Sequence, residues 1–407
     1  MVIHPPQIKH SDGEVTISSR IEMSNPVDGL PDRLWFTYPE AYTDFLSGSS
    51  DGFAASLLLT AMYFGEDLEI RGSISPRLLY GLGEYQQVIH TWFPKTFRII
   101  EIHPQSLQPF EEQNRAGKVG TAFSGGVDSL YSLWSNLPDN QPLVSLRVTH
   151  GLLIHGFDIR LYEKDNFSKI QRHYQEVFRE LGLELITART NGFLFWEFRV
   201  DWNYVHGGLL IGTALNLEKL FTVFYVPSTH VYQDIKPLGT SPLLDHLLST
   251  ENLTVIHFGA STNTISKLKA FADWEVAHEG LRVCTEINRR EGVKNCSRCN
   301  KCLRTIFMLE ILGVLPKFKT FRYPFRHRDL LHWIFFSGSS HTYPKMLSKA
   351  AKAAGRWDIA LPVLLAIPIG YINGWITKMI LNIIPPTMTY RLKRKLYGRL
   401  AEGQQVD

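Results

Sequence analysis

The run Ser124-Gly125-Gly126-Val127-Asp128-Ser129 constrains this chain more than any other six residues. It follows a short apolar segment, Val119–Phe123, and precedes a stretch that reads as a helix ending before Pro138. A strand, a glycine-rich turn and a helix, in that order, put the turn at the positive end of a helix dipole. The paired glycines let the backbone turn sharply and come close to a ligand. Their N–H groups, with those of the helix's first turn, form a nest for an anion, and the hydroxyls of Ser124 and Ser129 add donors. Asp128 is out of place beside a bare phosphate, because like charges repel. A Mg²⁺ between the two gives its carboxylate a role. A plain helix start capped by Ser or Asp is the simpler reading, but the full string after an apolar strand is more specific than that. The pattern G-x-x-x-x-G-K-[ST] is missing, which excludes a P-loop of the Walker type.

The surroundings of this turn set the fold class. After Lys118, strand-like runs (Val119–Phe123, Leu152–Ile154, Glu184–Thr187, Val223–Val226, Thr254–His257) alternate with helical ones (Asn166–Leu181, Tyr204–Leu220 and the short Leu243–Leu248). Such alternation predicts an α/β fold, a parallel sheet with helices on both faces. Residues 1–116 read as a separate α+β region, with strands near Val15–Arg20, Leu34–Thr37, Glu69–Arg71 and Phe97–Ile102, and helices at Gly52–Phe64 and Pro76–Phe93. The domain expectation is therefore 1–116, 117–315 and a helical tail, 316–407. Ligands of such sheets bind at the carboxyl ends of the strands. The loops there offer His155 and Asp158, and then Ser228, Thr229, His230, Asp234 and Lys236. Lys236 is placed to neutralise a departing anion and Asp234 to help hold Mg²⁺. Asp201 and His206 flank a helix start and read as cap or turn residues. The candidate catalytic set is Asp128, Lys236, His155 and Asp158.

All four cysteines fall within nineteen residues, Cys284, Cys296, Cys299 and Cys302, spaced C-x11-C-x2-C-x2-C. Two C-x-x-C steps sharing a cysteine let three thiolates converge from one knuckle, and Cys284 closes the shell. Four thiolates without an open position is the pattern of structural Zn²⁺. A [4Fe–4S] cluster takes the same ligands and is the chemical competitor. Lys294, Arg298, Lys301 and Arg304 surround the knuckle and either offset its negative charge, contact phosphate or are solvated.

The SGGVDS string resembles the pyrophosphate loop of the N-type ATP pyrophosphatases, and Ser124, Gly125, Gly126, Asp128 and Ser129 match that loop position by position. Together with C…CSRCNKCLR, residues 118–305 resemble the 7-cyano-7-deazaguanine synthase family of queuosine biosynthesis, in which an Arg also closely follows the knuckle, as Arg304 does here. The resemblance implies a Rossmann-like fold of the adenine nucleotide alpha hydrolase kind. It implies cleavage of ATP between the α and β phosphates, with Mg²⁺, to adenylate a carboxylate that ammonia or an amine then attacks. The 116-residue leader, the tail, the longer gap before Cys296 and His155-Gly156-Phe157-Asp158 after the second strand depart from that family. These departures leave the identity of the acid open. A tRNA-modifying enzyme (thiolating or lysidine-like) and a non-catalytic nucleotide-binding assembly module are the alternatives.

Charge divides the chain. From Pro316 on there are 15 Lys/Arg against 4 Asp/Glu; before it, 28 against 35. A basic tail of this kind suits an anionic partner, whether a membrane surface or tRNA. Within it, Ile359–Thr377 runs nineteen residues without a charge, interrupted by Pro362 and Pro368, and Thr387–Leu400 supplies five basic residues. The apolar stretch reads as a core-packed hairpin, an interfacial segment or a span. With 44% hydrophobic residues the chain is not disordered, and four cysteines make no disulfide scaffold. MVIHPPQIKH lacks the layout of a signal peptide, so the expected location is cytoplasmic, peripheral to a membrane at most. An oligomer is compatible with everything above.

Overall fold

The structure, a computed structural model, describes residues 1–108, 116–197, 199–286, 291–330, 342–365 and 368. The chain divides into two units. The first holds residues 1–124, 128–163 and 174–263, and the second holds 125–127, 164–173 and the chain from Thr264 onward. This division differs from the three segments expected from sequence, because the leader and the strands after Lys118 build one sheet.

Its elements in chain order begin with β1 (Val2–Ile3), β2 (Gln7–Ser11), β3 (Glu14–Glu22), β4 (Arg33–Pro39), α1 (Asp51–Phe64), β5 (Leu68–Ile74), α2 (Pro76–Trp92) and β6 (Ile102–Leu107). They continue with β7 (Lys118–Ala122), α3 (Val127–Ser135), β8 (His150–His155), α4 (Lys164–Glu180), β9 (Glu184–Thr190), α5 (Trp202–Leu215), β10 (Phe221–Pro227) and β11 (Thr254–Phe258). The described strands form one sheet in the order β11-β10-β7-β8-β9-β4-β3-β1-β5-β6, with β2 on β3. From β11 to β9 every pairing is parallel. The seam with the leader is antiparallel, Phe36 opposite Thr190 and Thr37 opposite Arg189. Strand order reverses at β7: β8 and β9 lie on one side of it, and β10 and β11 on the other. Such a reversal opens a crevice at the carboxyl ends of the two strands that part there, β7 and its neighbour.

The sequence explains these choices locally. β8, His-Gly-Leu-Leu-Ile-His, is buried along its whole length, as an interior parallel strand must be. α2 starts with Ser75, whose hydroxyl accepts from the Leu78 N–H at 3.2 Å, and with Pro76 in its first turn. α1 buries nearly all of its residues and has no polar face, so it needs neighbours all round. Its closest neighbour is α5. A Cβ on Gly208 would stand 2.3 Å from the Ala55 carbonyl oxygen, and one on Gly212 would stand 2.4 Å from that of Gly52. The two helix backbones touch there, and only glycine fits.

Some expectations shift. The strand foreseen at Phe97–Ile102 begins only at Ile102. Phe97 and Arg98 donate their N–H groups to Phe93 and Met62 carbonyls, and Ile100 donates to the Gln86 side chain, so helix ends satisfy this backbone in place of a ladder. β2 is exposed throughout and carries no apolar period to reveal it. The helix begun near Tyr204 stops at Leu215, and Leu243–Leu248 narrows to a 3-10 turn at Asp245–Leu248.

In the second unit, α6 (Thr264–Ala270) and α7 (Glu275–Gly280) precede the cysteine knuckle, and α8 (Asn300–Ile311) and α9 (Thr342–Ala353) follow it. α8 buries Leu303, Ile306, Phe307 and Met308, and α9 packs on it. Beyond α9, Arg356 pairs with Glu310 of α8 and with Asp358, each at 2.9 Å. Ile359, Ala360 and Val363 are buried and Leu361 and Leu365 exposed, so this start of the apolar stretch packs one face inward. The rest of Ile359–Thr377, apart from Pro368, lies outside the described residues, as does Thr387–Leu400. Among the described residues, no helix is long and apolar enough to cross a membrane.

Candidate functional site

The turn after β7 has the geometry its sequence calls for. Phe123 N–H extends the ladder to Leu152 O at 2.9 Å, and Gly125 then turns the chain with φ at 74°, in the left-handed region. α3 starts at Val127, placing Asp128 and Ser129 in its first turn. The buried Ser129 hydroxyl closes the loop, accepting from Ser124 N–H at 3.2 Å and lying 3.3 Å from Ser124 Oγ. Below the turn, Thr121 Oγ1 of β7 and Ser132 Oγ of α3 are 3.0 Å apart and fix helix to strand. Four amides of a helix's first turn have no partner inside the helix. Here they sit at the end of the strand where the sheet order reverses.

The neighbouring strand ends carry the other polar candidates. Ser228, Thr229 and His230 follow β10, and Asp234 lies between His230 and Lys236, 3.8 Å from His230 Nδ1 and 3.3 Å from Lys236 Nζ. Thr229, His230, Lys236, Thr240, Ser241 and His257 line a small, open recess. His155 and Asp158 do not line it. His155 is buried at the end of β8, with Nε2 2.8 Å from the Arg160 carbonyl oxygen. That bond and Gly156 N–H to Ile159 O, also 2.8 Å, hold the loop on which Asp158 is exposed. Asp201 caps α5, accepting from Asn203 N–H at 2.9 Å.

Sequence reading missed one pair at the recess. Asp245, fully buried, accepts from His257 Nδ1 at 2.7 Å, and its other oxygen accepts from Ser241 N–H at 3.0 Å. The two residues stand twelve apart on different elements. The available signal was a histidine in the otherwise apolar run of β11.

In the second unit the four cysteines converge. All are buried, and their sulfurs lie within 4.8 Å of one another. Cys296 and Cys302 sulfurs are 3.8 Å apart, matching the ~3.8 Å edge of a tetrahedron with metal–sulfur bonds of about 2.3 Å. Ser297, with φ at 56°, turns the knuckle so that Cys299 N–H donates to Cys296 Sγ at 3.3 Å. Asn295 holds the distant ligand in place. Its Oδ1 accepts from Val283 and Cys284 N–H at 2.8 and 3.0 Å, and its Nδ2 donates to Leu281 O and Thr320 Oγ1 at 2.7 and 3.0 Å. Crowding couples the thiols. Hydrogen bonds from Cys299 and Cys302 hold Cys284 far below the usual thiol range, while Cys299, whose proton is held in its hydrogen bond to Cys284, is pushed up to about 11. One thiolate is tolerated among sulfhydryls; four call for a cation. Four buried thiolates of this geometry can hold a zinc ion. Of the nearby cations, the Arg298 guanidinium lies 4.9 Å over the Tyr323 ring and that of Arg304 3.6 Å over Tyr343.

Compared with protein-family models, with curated proteins and with solved structures, the chain matches none.

Proposed function

We propose that this chain is an ATP-dependent adenylating ligase of the kind its SGGVDS turn resembles. It activates a small carboxylate as an acyl-AMP, releases pyrophosphate and passes the acyl group to ammonia or an amine. The position of the turn carries the reading: it stands at the carboxyl end of β7, where the strand order reverses. On this reading the parallel part of the sheet is Rossmann-like, of the pyrophosphate-loop type, with helices on both faces. Amides of Gly125, Gly126 and the first turn of α3, with Ser124 and Ser129, bind the β and γ phosphates. Asp128 holds Mg²⁺ against them, and Lys236 neutralises charge as pyrophosphate leaves. A carboxylate oxygen attacks the α-phosphorus in line, so catalysis is alignment plus charge neutralisation. His155 and Asp158 shape the loop beside the turn. Zn²⁺ on Cys284, Cys296, Cys299 and Cys302 supplies structure, with no open position for chemistry.

All four cysteines belong to the cluster, which leaves no thiol to carry sulfur and weighs against a thiolating tRNA enzyme. The test uses full-length protein, Mg-ATP and a panel of small carboxylic acids, with AMP and pyrophosphate as readouts. Asp128→Ala is expected to lower AMP formation by about 100-fold, the usual scale for losing one charge-stabilising group. Equal turnover in that variant, or conversion of ATP to ADP and phosphate, sinks the reading. ATP binding without turnover across the panel favours the assembly module.

A further inference from the structure

We propose that His257, oriented by Asp245, is the general base for the nitrogen nucleophile, and that the recess it lines receives ammonia or a small primary amine; this rests on the adenylation reading above. Three features of the first unit converge on it. The recess lies beyond the carboxyl ends of β10 and β11, where Val226 is opposite His257 and Ser228 N–H bonds Phe258 O at 2.8 Å. β10 is the strand next to β7, so the recess flanks the crevice in which an acyl-AMP would form. Tyr131 of α3 approaches the loop after β11, its hydroxyl 3.3 Å from Thr262 Oγ1, which keeps that loop beside the helix of the phosphate turn.

The chemistry of the pair sets its role. Asp245 is fully buried and spends one oxygen on Ser241 N–H, leaving the other for Nδ1 of His257 at 2.7 Å. A carboxylate only accepts, so Nδ1 carries the proton and Nε2 is left as the basic nitrogen. Nδ1 is engaged by Asp245, which leaves Nε2 as the ring nitrogen for the recess that His257 lines. In the proposed sequence the carboxylate attacks ATP without losing a proton. The nitrogen must lose one: the C–N bond forms, the bond from the acyl carbon to the AMP oxygen breaks, AMP departs as an anion, and the proton goes to His257 Nε2. The recess is small, with room for ammonia or a comparably small amine and none for a large molecule, and Thr229, Thr240 and Ser241 are among the residues that line it. His257 is then the catalytic residue and Asp245 the positioning residue.

Full-length wild-type protein, His257→Gln and Asp245→Asn are compared in two half-reactions. ATP–pyrophosphate exchange with the acid panel reads adenylation, and hydroxamate formation with hydroxylamine reads attack by nitrogen. Both variants are expected to keep exchange within about threefold and to lose hydroxamate formation by about 100-fold, a usual share for general base catalysis. Asp245→Asn presents an N–H to Nδ1 and so moves the ring proton to Nε2. Its remaining activity should lose the wild-type pH profile. Histidine ¹⁵N spectra of the same proteins, recorded without substrate, should show Nδ1–H in the wild type and Nε2–H in Asp245→Asn. Undiminished hydroxamate formation in His257→Gln, or an Nε2–H tautomer in the wild type, overturns the assignment of the base alone. Absent exchange in the wild type with every acid overturns the adenylation reading, and the amine step falls with it.

Discussion

Each unit buries a group of acids, and the two groups solve the problem of charge differently. In the second unit, four thiols gather within 4.8 Å of one another. In the first, Asp51 at the start of α1 and Glu218 shortly after α5 are buried and bridged by two serines. Glu218 Oε1 is 2.7 Å from Ser47 Oγ, which is 2.9 Å from Ser49 Oγ, which is 3.0 Å from Asp51 Oδ2. The first group needs a divalent cation to exist fully ionised. The second needs only one proton. The difference shows that side-chain spacing decides the remedy. Sulfurs at tetrahedral edges can share an ion, whereas carboxylates held apart by hydroxyls can share a hydrogen-bonded chain.

Removing the cation from the first group gives the largest expected effect. Purified protein should carry one zinc per chain and no colour; a brown protein with iron would replace zinc by a [4Fe–4S] cluster and leave the ligand set unchanged. Cys302→Ser should abolish stoichiometric metal and unfold the knuckle, because structural zinc sites contribute on the order of 10 kcal/mol at neutral pH. Metal analysis and circular dichroism on wild type and variant check this. Full metal occupancy in Cys302→Ser would show that the sulfurs are not the ligands. Asn295→Ala keeps all four sulfurs but strands the Val283 and Cys284 amides. It should weaken zinc by about 10–100-fold, measured by competition with a chelator, as loss of an outer-shell partner does.

The first unit is more exposed to crowding than to loss of an ion. Gly208→Val sets carbon atoms against the Ala55 carbonyl, where a Cβ alone would stand 2.3 Å away. Overpacking of this kind costs about 3 kcal/mol, read as a lower midpoint of urea unfolding. An unchanged midpoint would mean that α1 and α5 do not meet as described.

The same contrast governs what the sequence revealed. The knuckle was legible because metal ligands of one type repeat at fixed, short spacings, and Cys296, Cys299 and Cys302 announce themselves. The glycine turn after β7 was legible because glycines and hydroxyls stand in order between a strand and a helix. Long-range partners left no local mark. Nothing in Phe36 or Thr37 foretells pairing with β9, so the leader read as a domain of its own. Asp245 and His257 meet only because a 3-10 turn and a strand end are brought together by the sheet. Asn295 reads as a polar residue beside a cysteine, and its four hydrogen bonds reach residues eleven to twenty-five positions away: Cys284, Val283, Leu281 and Thr320.

The proton in the carboxylate pair gives the smallest effect and the most direct test of the comparison. Ser49 donates to Asp51 at 3.0 Å, and Ser47 donates toward both Ser49 at 2.9 Å and Glu218 at 2.7 Å, so two hydroxyl hydrogens serve three short contacts between the two acids. One carboxyl proton supplies the third hydrogen and completes the chain between Asp51 and Glu218. Burial, and then the charge of Glu218, push the Asp51 carboxyl up to about 8. A carboxyl raised by folding stabilises the fold fully below its ordinary range near 3.8, and that stability is lost as pH rises toward 8. Asp51→Asn mimics the protonated acid: its oxygen still accepts from Ser75 N–H, and its amide donates to Ser49. Wild type and variant should therefore unfold at similar urea concentrations near pH 5. By pH 8.5 the variant should be the more stable, by about 1–2 kcal/mol for each unit or so of the shift that is realised. Parallel pH profiles would show that Asp51 does not carry the proton.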